Sequence, residues 1–410
     1  SQVDSGALEN WVNGKIEDTL PADVATAAAA FSLRKVKASY ASNAVRIRRS
    51  SDDVEVNVAF DSDDKVSASS AITNIAEQGG ESGQTTATDL NGFLNANEQT
   101  VGSAANGTGS VDFNSFSGNS NTGFTVTNSD AGTFKQAVFP YGSGEGDVIV
   151  ANFDLNITSG SPTIQVRTGA AIGTLTAKSD DATVSSSTNH TITLTCTGDG
   201  LYVKFLESDA CTFTVSNFSI VSHTQGAFVH TWYDQAGTNN AVQATSANQP
   251  KIAESGALLA DGIDFDGTND ELRTSTNIAS SQPVTVMSVT KPDAVNKRIF
   301  ESITNTVRAF YGSSSETGLN AGASLLGSAN GFSINNEYLQ THLFNTTSSK
   351  VFLNATESAS GNGGSDAFAG NFSIGGSSAL YDGTIKELIL YTSNQSDNRF
   401  KIESNINNYY

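Results

Sequence analysis

Long hydrophobic runs and positive charge are both scarce in this chain of 410 residues. No apolar run approaches the roughly 20 residues that a membrane-spanning helix needs, and no charged start followed by an apolar core indicates a signal peptide. The 22 lysines and arginines are outnumbered by 42 aspartates and glutamates, which gives a formal net charge of −20. Because such a chain repels nucleic acid and anionic membranes, we predict a soluble protein that binds no nucleic acid and inserts into no membrane.

Cysteine is rarer still. Only Cys196 and Cys211 occur, so the fold does not depend on a disulfide framework. The sequence leaves open whether these two residues form a bridge between neighbouring strands or stay as buried thiols.

The four histidines are scattered, with no H-x-x-x-H spacing that would hold zinc, and no phosphate-binding loop or nucleophile elbow occurs. Apart from the calcium turn discussed below, we predict no cofactor.

Proline is also scarce, with 6 residues, whereas glycine is abundant, with 37. Serine, threonine and asparagine recur in short alternations of apolar and polar residues. This composition favours many short strands joined by tight turns, and therefore an all-β fold of sandwiches or barrels. At about 150 residues per domain, the length predicts two or three domains.

Two distant segments look like halves of one motif. They are AAAFSLRKVKASYASNAVRIRRSSDD at 28–53 and VHTWYDQAGTNNAVQATSANQPKI at 229–252, and IDFDGTND follows at 263–270. These segments resemble concanavalin A-like, laminin-G-type β-sandwich proteins of tailed phages and marine bacteria, which are distantly similar to the catalytic domain of family 54 arabinofuranosidases. The resemblance implies a two-sheet sandwich formed by residues 28–109 and 223–410.

Residues 110–222 separate the two halves and carry strand signals of their own. The segments with alternating residues are 123–127, 134–139, 146–157, 163–168, 191–197, 201–206 and 212–221. Seven to eight strands in about 110 residues predict an inserted jelly-roll sandwich, similar to carbohydrate-binding modules.

Short helices are predicted at both ends of the chain. Residues 1–27 form a predicted attachment segment, because Leu8, Trp11, Val12 and Ile16 have the spacing of an amphipathic helix. The alanine-rich stretch that follows extends the helix prediction over 23–40. A closing helix is predicted over 397–409.

The tetrapeptide WYDQ is the most distinctive candidate for a glycan site. Trp232 and Tyr233 offer rings that stack on sugars, and Asp234 offers a carboxylate for hydroxyl groups. A structural alternative is that Asp234 holds Arg46 or Arg48 in a buried ion pair.

In the inserted sandwich, Phe139 and Tyr141 flank a proline where a strand is predicted to end. Aromatic rings at such a point project from a loop, so we predict that both residues contribute to glycan binding.

The segment DFDGTND has the density of oxygen atoms that calcium requires. Asp266, Asn269 and Asp270 are the candidate ligands on one turn, although the spacing is not that of an EF-hand. The alternative is a tight turn that leads into the next strand.

Hydrolysis of a glycosidic bond requires two carboxylates, about 5–5.5 Å apart for retention or farther apart for inversion. The resemblance to family 54 implies an acidic residue directly after a Gly-Gly pair near the C-terminus, and Ser377 occupies that position. Because a hydroxyl does not serve as a general acid at neutral pH, we predict no enzyme activity. Glu301 and Asp382 stay open as an alternative pair of catalytic carboxylates at other positions.

The resemblance and the missing acid together predict a structural protein of a tailed-phage virion, as a tail fibre, an appendage or a head decoration. We expect it on the virion surface, with a glycan-binding role in host attachment. The expected partners are other virion proteins, a host cell-surface glycan and further copies of the chain. Two alternatives stay open: a secreted hydrolase of the arabinofuranosidase type, and a bacterial surface adhesin.

Overall fold

The structure, a computed structural model, is built almost entirely of antiparallel β-strands. It describes residues 19–74, 85–96, 99–276, 278, 281–303, 307–312, 316–328 and 333–410. Within these ranges there are thirty strands and three short α-helices, α1 (Pro21–Val24), α2 (Leu90–Asn95) and α3 (Arg399–Tyr409). Single 3₁₀ turns occur at Gly109–Val111, Ser246–Asn248 and Thr346–Ser348. The prediction of an all-β sandwich fold is confirmed.

The strands fall into two groups. The chain begins with β1 (Ala29–Ser32), β2 (Val45–Arg49), β3 (Glu55–Val58) and β4 (Ile72–Asn74). It continues with β5 (Ala105–Asn106), β6 (Ser115–Ser117), β7 (Phe124–Asn128), β8 (Lys135–Ser143), β9 (Val148–Ser159), β10 (Ile164–Gly169), β11 (Ala182–Val184), β12 (Asn189–Thr195), β13 (Gly200–Glu207) and β14 (Cys211–Thr224). We call the unit formed by β5–β14 the inserted sandwich.

The remaining strands return to the partners of β1–β4. They are β15 (Ala227–Trp232), β16 (Ala241–Val242), β17 (Lys251–Glu254), β18 (Ala257–Leu258), β19 (Ile263–Asp266), β20 (Leu272–Thr274), β21 (Val284–Pro292), β22 (Arg298–Ser302), β23 (Arg308–Tyr311), β24 (Glu316–Asn320), β25 (Ser324–Ser328), β26 (Tyr338–Phe344), β27 (Ser349–Leu353), β28 (Thr356–Gly361), β29 (Phe372–Ile374) and β30 (Asp382–Tyr391). Together with β1–β4, these sixteen strands form the host sandwich, whose twenty strands are linked by antiparallel pairing.

Pairing in the host sandwich brings the two motif halves together. Strand β2 comes from the first half and β15 from the second, and they pair antiparallel from Val45 opposite Trp232 to Arg49 opposite Ala227. Strand β30 pairs with β1 on one side and with β21 on the other. Nearly every side chain of β15 and β30 is buried. One face of β30 packs into the host core, and the other packs into a second hydrophobic cluster that includes residues of α3.

The inserted sandwich has two five-stranded sheets, in the orders β11-β10-β13-β8-β5 and β12-β9-β14-β7-β6. Alternate residues of β9 and β12 point inward, as the apolar and polar alternation in their sequences predicts. The inward side chains form a hydrophobic core separate from the host core. Strand β5 already pairs with β8, so this unit begins before residue 110.

The helix prediction over 23–40 is wrong. The α-helix covers only Pro21–Val24, and Ala29–Ser32 forms strand β1. All four residues of β1 are buried and pair with β30, which is more than 350 residues away in sequence. Helix propensity is worth only tenths of a kcal/mol per residue, so this pairing and burial outweigh it. The closing helix is confirmed over Arg399–Tyr409.

Other expectations concern the N-terminus and the cysteines. The predicted amphipathic helix with Leu8 and Trp11 lies outside the described residues. Cys196 and Cys211 are both buried free thiols, which decides between the two alternatives for this pair. No helix in the described ranges is long and apolar enough to cross a membrane.

Candidate functional site

Trp232 is in the core of the host sandwich and not on a surface. Its indole is fully buried and packs against the ring of Phe31, with 5.9 Å between the ring centroids. Tyr233 is half-buried, and its hydroxyl donates to Asn57 Oδ1 at 2.6 Å. The expectation that Trp232 stacks on a sugar is therefore corrected. Trp232 is the last residue of β15, which pairs with β2 and β16, and its ring points into the core.

Asp234 is buried and organises a loop. The backbone N–H groups of Ala30 and Ala236 both donate to its Oδ1 at 2.9 Å. Among the described residues, Arg46 and Arg48 form their salt bridges with other carboxylates, so the alternative of a buried pair between either arginine and Asp234 is also corrected. The side chain connects the two motif halves through backbone groups.

Phe139 and Tyr141 belong to the core of the inserted sandwich. Strand β8 runs through both residues, so they do not project from a loop as expected. Phe139 is stacked on Phe218, with 4.0 Å between centroids and 3° between ring planes. The Tyr141 hydroxyl forms a hydrogen bond of 2.9 Å with His223 Nδ1, and burial raises the pKa of this phenol.

A buried carboxylate joins the two sandwiches. Asp147 Oδ2 accepts from the Gly144 N–H at 2.7 Å and is bonded to His223 Nε2 at 2.9 Å. Its Oδ1 accepts from the Gly226 N–H at 2.8 Å and from the hydroxyl of Ser50. Ser50 belongs to the host turn between β2 and β3, and Gly226 lies between β14 and β15, where the chain returns to the host, so Asp147 fixes this junction.

A cleft of about 370 Å³ opens where the inserted sandwich meets the host sandwich. This volume falls within the usual range of small-ligand sites. Most of the lining side chains are polar or charged, and they come from both sandwiches. They are Arg48, Glu145, Lys178, Thr197, Gly198, Asp199, Phe228, Ser246, Ala247, Gln249, Lys251, Asp264, Asp266, Asn269 and Asp270.

Three ionisable side chains of this cleft lack partners. Among the described residues, none forms a hydrogen bond or an ion pair with the side chains of Lys178, Asp199 or Asp264. Lys178 and Asp264 are partly buried, and Asp199 is exposed. The neighbouring Lys251, in contrast, pairs with Glu145 at 3.0 Å. The unpaired groups are therefore free to bind a ligand in the cleft.

Two carboxyl groups of the cleft have raised pKa values. Burial and the repulsion from nearby carboxylates raise the pKa of Asp270 to about 7. Burial raises the pKa of Asp264 to about 6, although Lys251 opposes the shift. Because a protonated carboxyl donates a hydrogen bond and an ionised one only accepts, the cleft offers both kinds of group near neutral pH.

The candidate calcium turn is held by its own backbone. Asp266 Oδ1 accepts from the N–H groups of Thr268 at 2.8 Å and Asn269 at 3.1 Å, and Asp270 Oδ2 accepts from the Asp266 N–H at 3.0 Å. No three carboxylate, histidine or cysteine side chains of the described residues are arranged to hold a metal ion. The geometry fits the tight turn that the sequence left as the alternative, and calcium binding stays a prediction.

Ser377 follows a Gly-Gly turn and binds a carboxylate. Its hydroxyl donates to Glu301 Oε2 at 2.7 Å, and Arg298 forms a salt bridge with the same carboxylate. Burial alone would raise the pKa of Glu301, but the hydrogen bonds from Arg298 and Ser377 outweigh it, and the pKa is lowered. Glu301 is thus ionised at neutral pH and unsuited to the role of a general acid.

The cleft was not predicted from the sequence. Lys178 and Asp199 come from turns of the inserted sandwich, whereas Asp264 comes from β19 of the host, so no spacing along the chain relates them. The one available signal was the density of acidic residues at 264–270, which we assigned to calcium.

No protein-family model and no curated protein matches the chain. Two solved structures are partly similar. One is domain 4 of AbnA, an extracellular GH43 arabinanase from Geobacillus stearothermophilus, in complex with arabinotriose; it is 18% identical, covers 34% of this chain and 78% of its own, and has a TM-score of 0.27. The other is the Trypanosoma rangeli sialidase in complex with the inhibitor DANA; it is 12% identical, covers 43% of this chain and 30% of its own, and has a TM-score of 0.32. Neither likeness is strong enough to assign a function.

Proposed function

We propose that this chain is a non-catalytic glycan-binding protein, and that its saccharide ligand occupies the cleft between the two sandwiches. The observation that supports the proposal most directly is the convergence of Lys178, Asp199 and Asp264, which have no partners among the described residues. Partly buried polar groups such as Lys178 and Asp264 are usually satisfied within a protein, so their lack of a hydrogen bond or ion pair in this cleft supports a ligand there.

The chemistry of the cleft suits a saccharide. A sugar hydroxyl both donates and accepts hydrogen bonds, and the cleft combines an ammonium donor with carboxyl groups that titrate near neutral pH. A purely anionic ligand fits less well, because carboxyl groups outnumber the basic groups of the lining.

The proposal of a binding protein, and not a hydrolase, rests on Ser377 and Glu301. A hydroxyl occupies the position that the resemblance assigns to the acid, and the carboxylate beside it is held ionised by Arg298. We therefore expect no release of reducing sugar when the protein is incubated with arabinan. Such release would support the hydrolase alternative.

We further infer that the protein acts at the surface of a tailed-phage virion, where glycan binding would hold the particle on its host. The support is the sequence resemblance of the two motif halves. Electron microscopy of native particles with an antibody against residues 110–222 tests this placement. Labelling of a tail or head is expected, whereas labelling of bacterial cells alone would favour the adhesin alternative.

Calorimetry with three cleft variants tests the site itself. A glycan array first selects an oligosaccharide that the wild-type protein binds. Lys178→Met, Asp199→Asn and Asp264→Asn should each weaken binding about 10- to 100-fold, because a hydrogen bond to a charged group contributes about 1.5–3 kcal/mol. The matched control is Lys350→Met, which removes a lysine paired with Glu357 on β27 and β28, and it should bind as the wild type does. Unchanged affinity in all three cleft variants would refute the proposed site.

A further inference from the structure

We propose a further ligand site, in a pocket of the host sandwich, for a small organic anion with an aromatic body. The pocket has a volume of about 350 Å³, within the usual range of small-ligand sites. Tyr409 and Tyr410, at the C-terminal end of α3, both line it, so we call it the tyrosine pocket. None of its lining residues lines the cleft between the sandwiches, and this site is therefore independent of the proposed saccharide site.

Part of the pocket lining is aliphatic. Leu33, Val66 and Leu258 pack against the host core, yet each residue is only partly buried and lines the pocket. They come from separate segments, after β1, between β3 and β4, and on β18, so the folded host sandwich assembles this apolar surface. A ligand that covers the surface removes it from water, which favours a ligand with an apolar body.

The two tyrosines add aromatic surface that the protein itself leaves exposed. Tyr409 is 44% exposed and Tyr410 is 38% exposed, and their ring planes are 85° apart with 4.8 Å between the centroids. Arg34 holds this arrangement, because its guanidinium lies 4.6 Å from the centroid of the Tyr409 ring and donates to Glu387 at 2.8 and 3.1 Å. The face of one ring and the edge of another are the surfaces against which a further aromatic ring packs. The tyrosine pair therefore favours an aromatic ligand over an alkyl chain.

The charged groups that line the pocket are all positive. They are Arg34, Lys65 and Lys386, and no aspartate or glutamate of the described residues lines it. This lining contrasts with the net charge of −20 of the whole chain and with the cleft, where carboxyl groups predominate. Because Glu387 neutralises the buried Arg34, the two lysines are the groups that can bind an anion.

Both lysines form ion pairs that a ligand can exchange. Lys65 pairs with Asp63 at 3.2 Å, and Lys386 pairs with Glu337 at 2.5 Å; all four side chains are at least partly exposed. Exposed pairs of this kind contribute little to stability, because water and salt screen them, and the released carboxylates stay solvated. The Lys386 ammonium lies 5.3 Å from the centroid of the Tyr410 ring, so a carboxylate on an aromatic ring in the pocket comes within its reach. A cationic ligand would instead be repelled.

Ligand-detected NMR titrations with three naphthalene probes test the tyrosine pocket. The probes are 2-naphthoate, 2-naphthalenemethanol and 2-naphthylmethylammonium, which share one ring system and differ in charge. We expect the wild-type protein to bind the anion most tightly and the alcohol about five- to tenfold more weakly, because an ammonium group binds a carboxylate more strongly than a hydroxyl. The cation should bind more weakly than the alcohol.

Three variants assign the binding to this pocket. Lys386→Met should weaken binding of 2-naphthoate about tenfold and leave the affinity for the alcohol unchanged, because it removes the charge and keeps the apolar surface. The matched control is Lys350→Met, since Lys350 also pairs with a glutamate, Glu357, and lies 6.0 Å from the centroid of the Phe352 ring. This control should bind all three probes as the wild type does. Tyr409→Leu keeps an apolar side chain without the ring, and it should weaken the binding of both 2-naphthoate and the alcohol.

Further measurements decide between this ligand and other occupants. Lys65→Met repeats the charge test on a loop if Lys386→Met is unstable, and Asp264→Asn, which alters the cleft, should bind 2-naphthoate like the wild type. Equal affinity of the wild type for all three probes, or binding of none, would overturn the proposal, as would unchanged affinity for 2-naphthoate in both lysine variants. Tighter binding of decanoate than of 2-naphthoate would overturn the aromatic class. A dimer that Tyr409→Leu dissociates, without probe binding, would assign the pocket to a second copy of the chain and overturn the proposal as well.

Discussion

Replacing Asp147 by asparagine tests whether one buried carboxylate joins the two sandwiches. Each of its oxygens accepts one backbone N–H, from Gly144 on one side and from Gly226 on the other. Asparagine has a single oxygen, so in either orientation its NH₂ group faces one of these N–H groups. The unpaired N–H costs about 1–3 kcal/mol, and the remaining bonds lose roughly half of their strength with the charge. We expect the free energy of unfolding to fall by about 3 kcal/mol.

Urea unfolding of the full chain at pH 7, followed by circular dichroism, measures this loss. Hydrogen exchange at the amides of Gly144 and Gly226 shows whether the junction itself has opened. The control is Asp154→Asn on β9, which alters an exposed carboxylate that accepts from two asparagine side chains, and its unfolding midpoint should match the wild type. A loss below about 1 kcal/mol for Asp147→Asn, with unchanged exchange at Gly226, would refute the reasoning.

Three further predictions concern buried groups. The pKa of Asp270 rises from 3.8 to about 7 on folding, so its contribution to stability is complete below pH 4 and is lost as the pH rises through 7. Asp270→Asn should therefore raise the unfolding free energy by about 2–4 kcal/mol at pH 8 and leave it unchanged at pH 4. Burial lowers the pKa of Lys204 to about 8, and its ammonium donates to the carbonyls of Ala171 and Thr174 at 2.7 Å. The wild type should thus gain stability relative to Lys204→Met between pH 8 and 10, as measured by urea unfolding at both pH values. Tyr141→Ala should lower the unfolding free energy by about 3–5 kcal/mol and leave glycan affinity unchanged, whereas weaker binding at unchanged stability would return this ring to a binding role.

Alternation in the sequence was a good guide to the inserted sandwich. The signals at 146–157 and 191–197 correspond to β9 (Val148–Ser159) and β12 (Asn189–Thr195), where side chains face the core at every second position. The same rule does not apply to strands that are buried on both faces. All four residues of Ala29–Ser32 are buried, so the segment shows no alternation of apolar and polar residues, and its alanines were interpreted as part of a helix.

The candidate sites were harder to predict for a related reason. Trp232, Phe139 and Tyr141 were chosen because aromatic rings stack on sugars, but the same rings fill hydrophobic cores, and a single sequence does not distinguish the two uses. Lys178 and Asp264 gave no signal, since they meet only when the inserted sandwich folds against the host. A site between two folded units depends on their relative placement, which no local pattern encodes.

The two ends of the inserted sandwich leave the host at one place. The backbone N–H of Gln225 donates to the carbonyl of Leu94 at 2.9 Å, and its side chain donates to the carbonyl of Ala96 at 2.6 Å. The segment that leads into the inserted sandwich is therefore tied to the segment that leads out of it. A pulling force transmitted along the host backbone can therefore pass across this tie without stretching the inserted sandwich. The inserted unit would therefore stay folded while the host bears the load.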